Sequence, residues 1–395
     1  MRTILKKILK KILKKIGSKI DRCLITLLST FTSIKKYTLI LESEGDFTDN
    51  IKAFYDYLVK NRINDYVKII WFVHNPSEYP KINNVKFISR YKFINLQADF
   101  YIATSHIFVF SHPYWLTKWR KDQIVIHTTH SASQIKKDTS DPIKISDYVL
   151  VCSEDVKEKR KGAFLIPEEN LLVIGQPRID LLFRHKDCVK KLISNYDGQK
   201  IILSMETFKQ TKYWTDADNV DPFAINVVRT LNDMKKLDAF LEKNNFIMII
   251  KVHHLQDMSF LNVVNFRNIF YINDSDLRKI NAQANELLEN ADCLLTDYSS
   301  VFYEYLMLDR PIGFLLGDMD KYNRGFNMEN PLDYMPGTKI YDIDQLFDFI
   351  VNMDNEKIKY EKERKKMCDL TFKYQDDKNS ERLWNWIRIN CLEED

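Results

Sequence analysis

Four polar runs in this chain each follow a short apolar stretch, and each holds residue types suited to acid–base or anion chemistry. The first is His127-Thr128-Thr129-His130-Ser131-Ala132-Ser133-Gln134-Ile135-Lys136-Lys137. An imidazole titrates near neutrality and can take a proton from a hydroxyl. Lys136 and Lys137, six and seven positions after His130, carry the charge to contact an anion. A histidine at a strand end is also a common structural residue, so this run alone leaves both readings open. The second run, Lys251-Val252-His253-His254, suits a phosphate or, equally, a solvent-capped strand end. The third is Thr296-Asp297-Tyr298-Ser299-Ser300-Val301-Phe302-Tyr303-Glu304-Tyr305, in which Ser-Ser opens an apolar helical run. Hydroxyls and free N–H groups at a helix start form an anion site, and Ser299 or Asp297 can cap the same helix. The fourth run holds Tyr322-Asn323-Arg324-Gly325-Phe326, where Arg324 has the fork geometry to clamp a phosphate, or to make a surface salt bridge.

These runs need a scaffold that gathers strand ends. Apolar, β-rich segments occur at 37–43, 68–74, 107–111, 124–128, 148–153 and 171–175. A second series occurs at 200–205, 246–252, 269–273, 292–296 and 312–316. Segments apolar on both faces read as buried parallel strands. Helical stretches such as 49–62, 226–244, 277–291 and 299–308 lie between them. Alternation of this kind predicts an α/β doubly wound architecture, in two Rossmann-like halves with a break near 182–199. Such sheets bind ligands at the carboxyl ends of their strands, and the space between two halves is the expected cleft. The predicted domains are 1–34, a basic amphipathic membrane-associating segment; 35–185, an acceptor domain; and 186–395, a donor domain whose last helix is free to return to the first domain.

Composition excludes several classes. No G-x-G-x-x-G, G-x-x-x-x-G-K-[ST] or G-x-S-x-G occurs, which argues against a dinucleotide dehydrogenase, a P-loop NTPase and an α/β-hydrolase. Six scattered cysteines without a C-x-x-C pair fit neither a zinc site nor a disulfide framework. The formal net charge of +4 conceals a split. Residues 1–20 hold eight bases (Arg2, Lys6, Lys7, Lys10, Lys11, Lys14, Lys15 and Lys19) and no acid, so the rest of the chain stands at −4. A body of that charge is not a nucleic-acid wrapper. In the arm, Ile-Leu pairs alternate with Lys-Lys pairs every four residues, close to the helical period. That pattern predicts a helix lying on an anionic cytoplasmic leaflet, or else a solvated extension or a helix docked on its own fold. Only 23–34 is free of charge there, too short to span a bilayer.

Taken in order, these runs resemble the CDP-glycerol glycerophosphotransferase family, the teichoic acid primases and polymerases. Leu294-Leu295-Thr296-Asp297-Tyr298-Ser299-Ser300-Val301-Phe302-Tyr303-Glu304-Tyr305 is similar to the family's I-T-D-Y-S-S-x-x-F-D-Y, and the likeness continues through Arg310-Pro311, Arg324-Gly325-Phe326 and Pro336-Gly337. Gly175-Gln176-Pro177-Arg178-Ile179-Asp180 resembles G-x-P-R-x-D, Lys251-Val252-His253 resembles K-x-H-P, and His130 to Lys137 resembles W-H-G-x-x-x-K-K. The resemblance implies a GT-B fold, with His130 as general base and His253, Ser299, Ser300, Asp297, Arg324 and Arg178 on the donor side. It implies transfer of an alditol phosphate from a CDP-alditol to a hydroxyl of a lipid-linked saccharide, with release of CMP, by a peripheral protein of the cytoplasmic membrane face. Neither a cofactor nor a metal is expected. Thr129 and Ser131 replace the family's Trp and Gly beside the base, His254 replaces a Pro, and Met205-Glu206-Thr207-Phe208-Lys209 stands where the family has A-P-T-F-R. A nucleotide-sugar glycosyltransferase and a non-catalytic membrane adaptor are the alternative readings.

Overall fold

Strands apolar on both faces must be covered by helices on both sides, and the chain builds two such layered units. The computed structural model describes residues 17, 19–89, 95–111, 119–129, 132, 135, 146–207, 223–252, 265–322 and 325–393. His130, His253, Arg324, Lys136, Lys137 and the lysines from Lys6 to Lys15 lie outside that set.

Unit 1 comprises Met1–His130, Pro142–Asp180 and Lys378–Asp395. Its strands are β1 (Lys35–Glu42), β2 (Lys68–Val73), β3 (Val85–Ser89), β4 (Ser105–Phe110), β5 (Ile124–His127), β6 (Tyr148–Val151) and β7 (Leu171–Val173). They form one parallel sheet in the order β3-β2-β1-β4-β5-β6-β7. One face packs Leu39, Leu41, Trp71 and Ile126 against Phe54 and Leu58 of helix α1 (Asp49–Lys60), together with chain-terminal Leu383, Trp384 and Ile387. The opposite face packs Ile40, Phe72 and Phe110 against Ile102 and against Ile25, from a helical stretch at 19–31.

Unit 2 comprises Ser131–Asp141 and Leu181–Asp377. Its strands are β8 (Lys200–Ser204), β9 (Phe246–Lys251), β10 (Ile269–Ile272), β11 (Cys293–Thr296), β12 (Ile312–Leu315) and β13 (Thr338–Ile340). They are again all parallel, in the order β10-β9-β8-β11-β12-β13. Leu237 and Leu241 of α2 (Leu231–Lys243) join Met248, Ile250, Leu295, Phe349 and Ile350 in its core. Two parallel-sheet α/β units are what the alternating pattern predicts.

The structure corrects details of that pattern. Strands β3 and β13 were not expected; each lies at a sheet edge, where one side is half-buried and the apolar run is short. The helix expected over 226–244 starts only at Leu231, where Thr230 and Asp233 form a reciprocal capping box. The helix expected over 277–291 is broken: one turn ends at Lys279, Asn281 takes a left-handed φ of 52°, and α3 (Ala284–Asn290) begins afresh. Expected 299–308 becomes α4 (Val301–Tyr305) and a tighter turn at Leu306–Leu308.

Candidate functional site

In unit 2 the strand order reverses between β8 and β11, and the chains leaving their carboxyl ends are 205–207 and 297–300. This reversal is where open parallel sheets bind ligands. Asp297 is fully buried there, and its Oδ1 accepts from the N–H of Thr207, the Oγ1–H of Thr207 and the N–H of Ser299, each at 2.9 Å. Thr296 Oγ1 donates to the Met205 carbonyl at 2.6 Å. Together these bonds pin the two strand ends side by side. Asp297, expected among the donor contacts, therefore has its Oδ1 engaged by the protein and shapes the turn.

That turn presents Ser299 and Ser300, both half-buried. Ser300 stands before α4 with helical angles (φ −66°, ψ −9°) and makes no side-chain capping bond. The capping role open to Ser299 and Asp297 in the sequence is likewise not taken up as a bond to α4. Neither serine hydroxyl bonds to another described residue. Two half-exposed hydroxyls at a sheet's switch point are well placed to donate to an anion. Helix α4 is held from behind by Tyr305, whose hydroxyl donates to the Ala291 carbonyl, and by Glu304, which accepts from Asn285.

Tyr298 turns the other way. Its ring lies 4.0 Å from that of Tyr322 and 5.7 Å from that of Phe326, centroid to centroid. Residues on both sides of Arg324 are thereby fastened to the serine turn, though Arg324 itself lies outside the described residues. Burial, with Asp297 and Asp318 nearby, holds the Tyr298 hydroxyl far above its usual range, so it stays protonated.

Glu206 and Asn226 were not singled out from the sequence. Glu206 accepts from the Asn226 N–H (3.0 Å) and Nδ2 (2.7 Å); Nδ2 also donates to the Leu315 carbonyl, and Oδ1 accepts from the Gly317 N–H. The available signal was position: Glu206 comes two residues after β8, where function gathers. Lys251, read with His253 as a phosphate-binding pair, is ion-paired with Asp274 at 2.8 Å; His253 and His254 lie outside the described residues. The Pro336-Gly337 pair is a packing device, because a Cβ on Gly337 would meet the Ile312 carbonyl oxygen at 2.1 Å.

In unit 1 the first polar run leaves β5. His127 is buried, stacks on Phe110 at 5.0 Å and donates from Nε2 to the Ser111 carbonyl at 2.9 Å, a structural arrangement. His130 follows Thr129, which holds a left-handed φ of 56°. For a β-branched residue this costs on the order of 1–3 kcal/mol, so its surroundings must enforce it. They do so with buried amides. Asn50 Nδ2 donates to the Thr129 carbonyl at 2.9 Å, and Gln176 Nε2 donates to the Thr128 carbonyl and the Thr129 hydroxyl. Both amide residues are wholly buried.

Arg178, expected at the donor, lies in unit 1 with its guanidinium on Asp49 (2.9 Å) and its N–H donating to Asn50 Oδ1 (3.0 Å). Two residues on, Asp180 accepts from the N–H groups of Asn379 and Ser380 and from Asn379 Nδ2, all at 2.8 Å, at the start of α5 (Asn379–Ile387). Burial pushes its carboxyl above the usual range, against the pull of those donors.

Comparison with known proteins gives a consistent answer. The family described as CDP-Glycerol:Poly(glycerophosphate) glycerophosphotransferase matches residues 24–388. Teichoic acid ribitol-phosphate polymerase TarK of Staphylococcus aureus is 28% identical over 91% of this chain and 69% of its own length. Polymerase TarL of the same organism is 31% identical over 56% of this chain but 37% of its own length, and the teichoic acid glycerol-phosphate primase of Bacillus subtilis is 31% identical over 61% and 57%. The chain thus spans from about a third to two thirds of these relatives. A solved structure of the wall teichoic acid polymerase TagF has a TM-score of 0.76 at 22% identity, covering 99% of this chain and 97% of that one. A putative UDP-N-acetylglucosamine 2-epimerase from Listeria monocytogenes shares the two-unit fold, of the GT-B class, with a TM-score of 0.52 at 12% identity. Since one family match runs through both parallel-sheet units, the chain belongs to the CDP-glycerol:poly(glycerophosphate) glycerophosphotransferase family.

Proposed function

We propose that this protein transfers an alditol phosphate, glycerol phosphate or ribitol phosphate, from a CDP-alditol to a hydroxyl of a lipid-linked acceptor in teichoic acid or related surface-polymer synthesis. The observation that carries this reading is the serine turn of unit 2: Ser299 and Ser300 offer hydroxyls unengaged by described residues at the switch point, on a turn locked by Asp297. Family membership supports the donor class. Ser299, Ser300 and His253 hold the pyrophosphate, and Arg324 neutralises its charge. Lys136 and Lys137 contribute further anion contacts; Ile135, beside them in sequence, accepts from the Asn327 N–H in unit 2.

The chemistry balances without another reactant. The acceptor hydroxyl gives its proton to His130 and its oxygen attacks the β-phosphorus, which bears the alditol. The bond from that phosphorus to the bridging oxygen breaks, and CMP leaves with the electron pair. Developing charge is met by fixed donors aimed at the phosphate oxygens. Purified protein given CDP-glycerol, CDP-ribitol and a panel of nucleotide sugars should release CMP from a CDP-alditol. Turnover of nucleotide sugars alone would overturn the proposal. His130→Ala should slow the reaction ~10²–10⁴-fold if His130 is the base.

We further propose that residues 1–34 bring the enzyme to an anionic membrane surface at the cytoplasmic face. The helical stretch at 19–31 turns Ile25 into unit 1 while Ile20, Leu27 and Phe31 lie on the other side at helical spacing, exposed by 37%, 55% and 79%. An apolar stripe following a lysine-rich arm suits the headgroup boundary. Among the described residues no helix is long and apolar enough to cross a membrane.

A further inference from the structure

We propose that Asn50 and Gln176 are positioning residues for His130, acting through the backbone of Thr128 and Thr129; the inference rests on the reading of His130 as the base. The carbonyl that Asn50 grips belongs to the peptide joining Thr129 to His130. Fixing that oxygen fixes the plane from which residue 130 departs. Gln176 grips the preceding carbonyl and the Thr129 hydroxyl, so two successive peptides are held by side chains with no exposure to water. A buried amide whose NH2 group is engaged has few alternative arrangements, since moving it strands a donor.

The clamp is itself braced. The Arg178 N–H holds Asn50 Oδ1, which orients the amide so that Nδ2 faces Thr129. The Arg178 guanidinium is paired with Asp49, the neighbour of Asn50 in α1. Gln176 and Arg178 are separated only by Pro177, whose ring restricts the backbone between them. Residues 175–180 thus act as a buttress under the loop that carries His130. The strain at Thr129 points the same way. A glycine there would adopt the same φ without cost, so a chain needing only a turn has no use for a clamped threonine. Strain held in place by converging buried donors is characteristic of a loop whose direction matters.

A base displaced by about 1 Å loses on the order of 100-fold in rate, and that loss passes through the base alone. The test is a double-mutant cycle on the full chain, with CMP release as the readout. Asn50→Asp keeps the acceptor for the Arg178 N–H and removes the donor to Thr129. It should lower kcat about 10–100-fold with donor KM within about twofold, and should have no further effect in a His130→Ala background. An equal loss in both backgrounds overturns the inference, because the effect would then bypass His130. Near-normal turnover by His130→Ala alone is a different result, and removes the base assignment on which the inference stands. Thr129→Gly decides the matter if Asn50→Asp fails to fold. It relieves the left-handed strain and gives up the hydroxyl that Gln176 holds, two effects of opposite sign, so Tm should stay within a few degrees of wild type while kcat falls about tenfold. A Thr129→Gly enzyme with both wild-type Tm and wild-type kcat would overturn the proposal.

Discussion

Ser299 and Ser300 are the residues on which the donor assignment is most directly tested. Their hydroxyls bond to no other described residue, so truncating them should leave stability within about 0.5 kcal/mol. A hydrogen bond to a charged phosphate is worth about 1.5–3 kcal/mol, so Ser299→Ala or Ser300→Ala should each lower kcat/KM for the CDP-alditol about 10–100-fold. Unchanged kinetics at a normal Tm would remove both from the site. The cysteines allow a second residue-scale prediction. Burial pushes the thiols of Cys188, Cys368 and Cys391 up to about 12, and Cys152 and Cys293 are buried as well, whereas Cys23 is exposed. With about 1 in 10⁴ of such buried thiols ionised at pH 8, iodoacetamide should label one fast site, Cys23, on the native protein. Rapid labelling of several sites would mean that the cores open easily.

At the scale of elements, the family-like segment from Gly175 to Asp180 is bonded to α1 and to the start of α5. Gly175 has a φ of 85°, and a Cβ there would lie 1.8 Å from Asn379 Oδ1. Gly175→Ala therefore meets both backbone strain and a collision at the start of α5. Loss of several kcal/mol follows, roughly 2–4, read as a lower urea midpoint with early proteolytic release of the C-terminal segment. Wild-type stability would show that α5 docks without this close approach. Most strands were legible because a buried parallel strand is apolar on both faces, as in Ile69-Ile70-Trp71-Phe72-Val73 of β2. Val85-Lys86-Phe87-Ile88-Ser89 and Thr338-Lys339-Ile340 were not, since a lysine interrupts each short run, as an edge strand tolerates. The helix break near Asn281 was hidden because apolar residues at helical spacing, Leu277, Ile280, Leu287 and Leu288, continue on both sides of it, although asparagine tolerates the left-handed backbone it adopts there.

For the whole molecule, the charge split is the feature with a testable consequence. Eight bases in residues 1–20, at about 1 kcal/mol each near an anionic surface, are ample for reversible binding. Full-length protein should float with vesicles containing anionic lipid, weaken in high salt, and lose flotation when residues 1–20 are removed. Cys23 lies beside the exposed stripe of Ile20 and Leu27, so the same vesicles should slow its alkylation. Equal flotation of the truncated protein would place membrane contact elsewhere.

Periodicity and motif order in the sequence determine the two parallel-sheet units and the family, because buried strands and ligand-facing turns constrain residue type locally. The roles of individual polar residues do not follow from their types. Asp297 could cap, bind or brace, and only the approach of β8 to β11 makes it the brace that leaves Ser299 and Ser300 unengaged by described residues. His127 and His130 look alike in sequence, yet burial against Phe110 commits His127 to structure. Arg178 and Asn50 are 128 positions apart, and no local pattern announces that they meet. A hydrogen bond between distant residues depends on strand order, and strand order is a property of the folded sheet rather than of any segment within it.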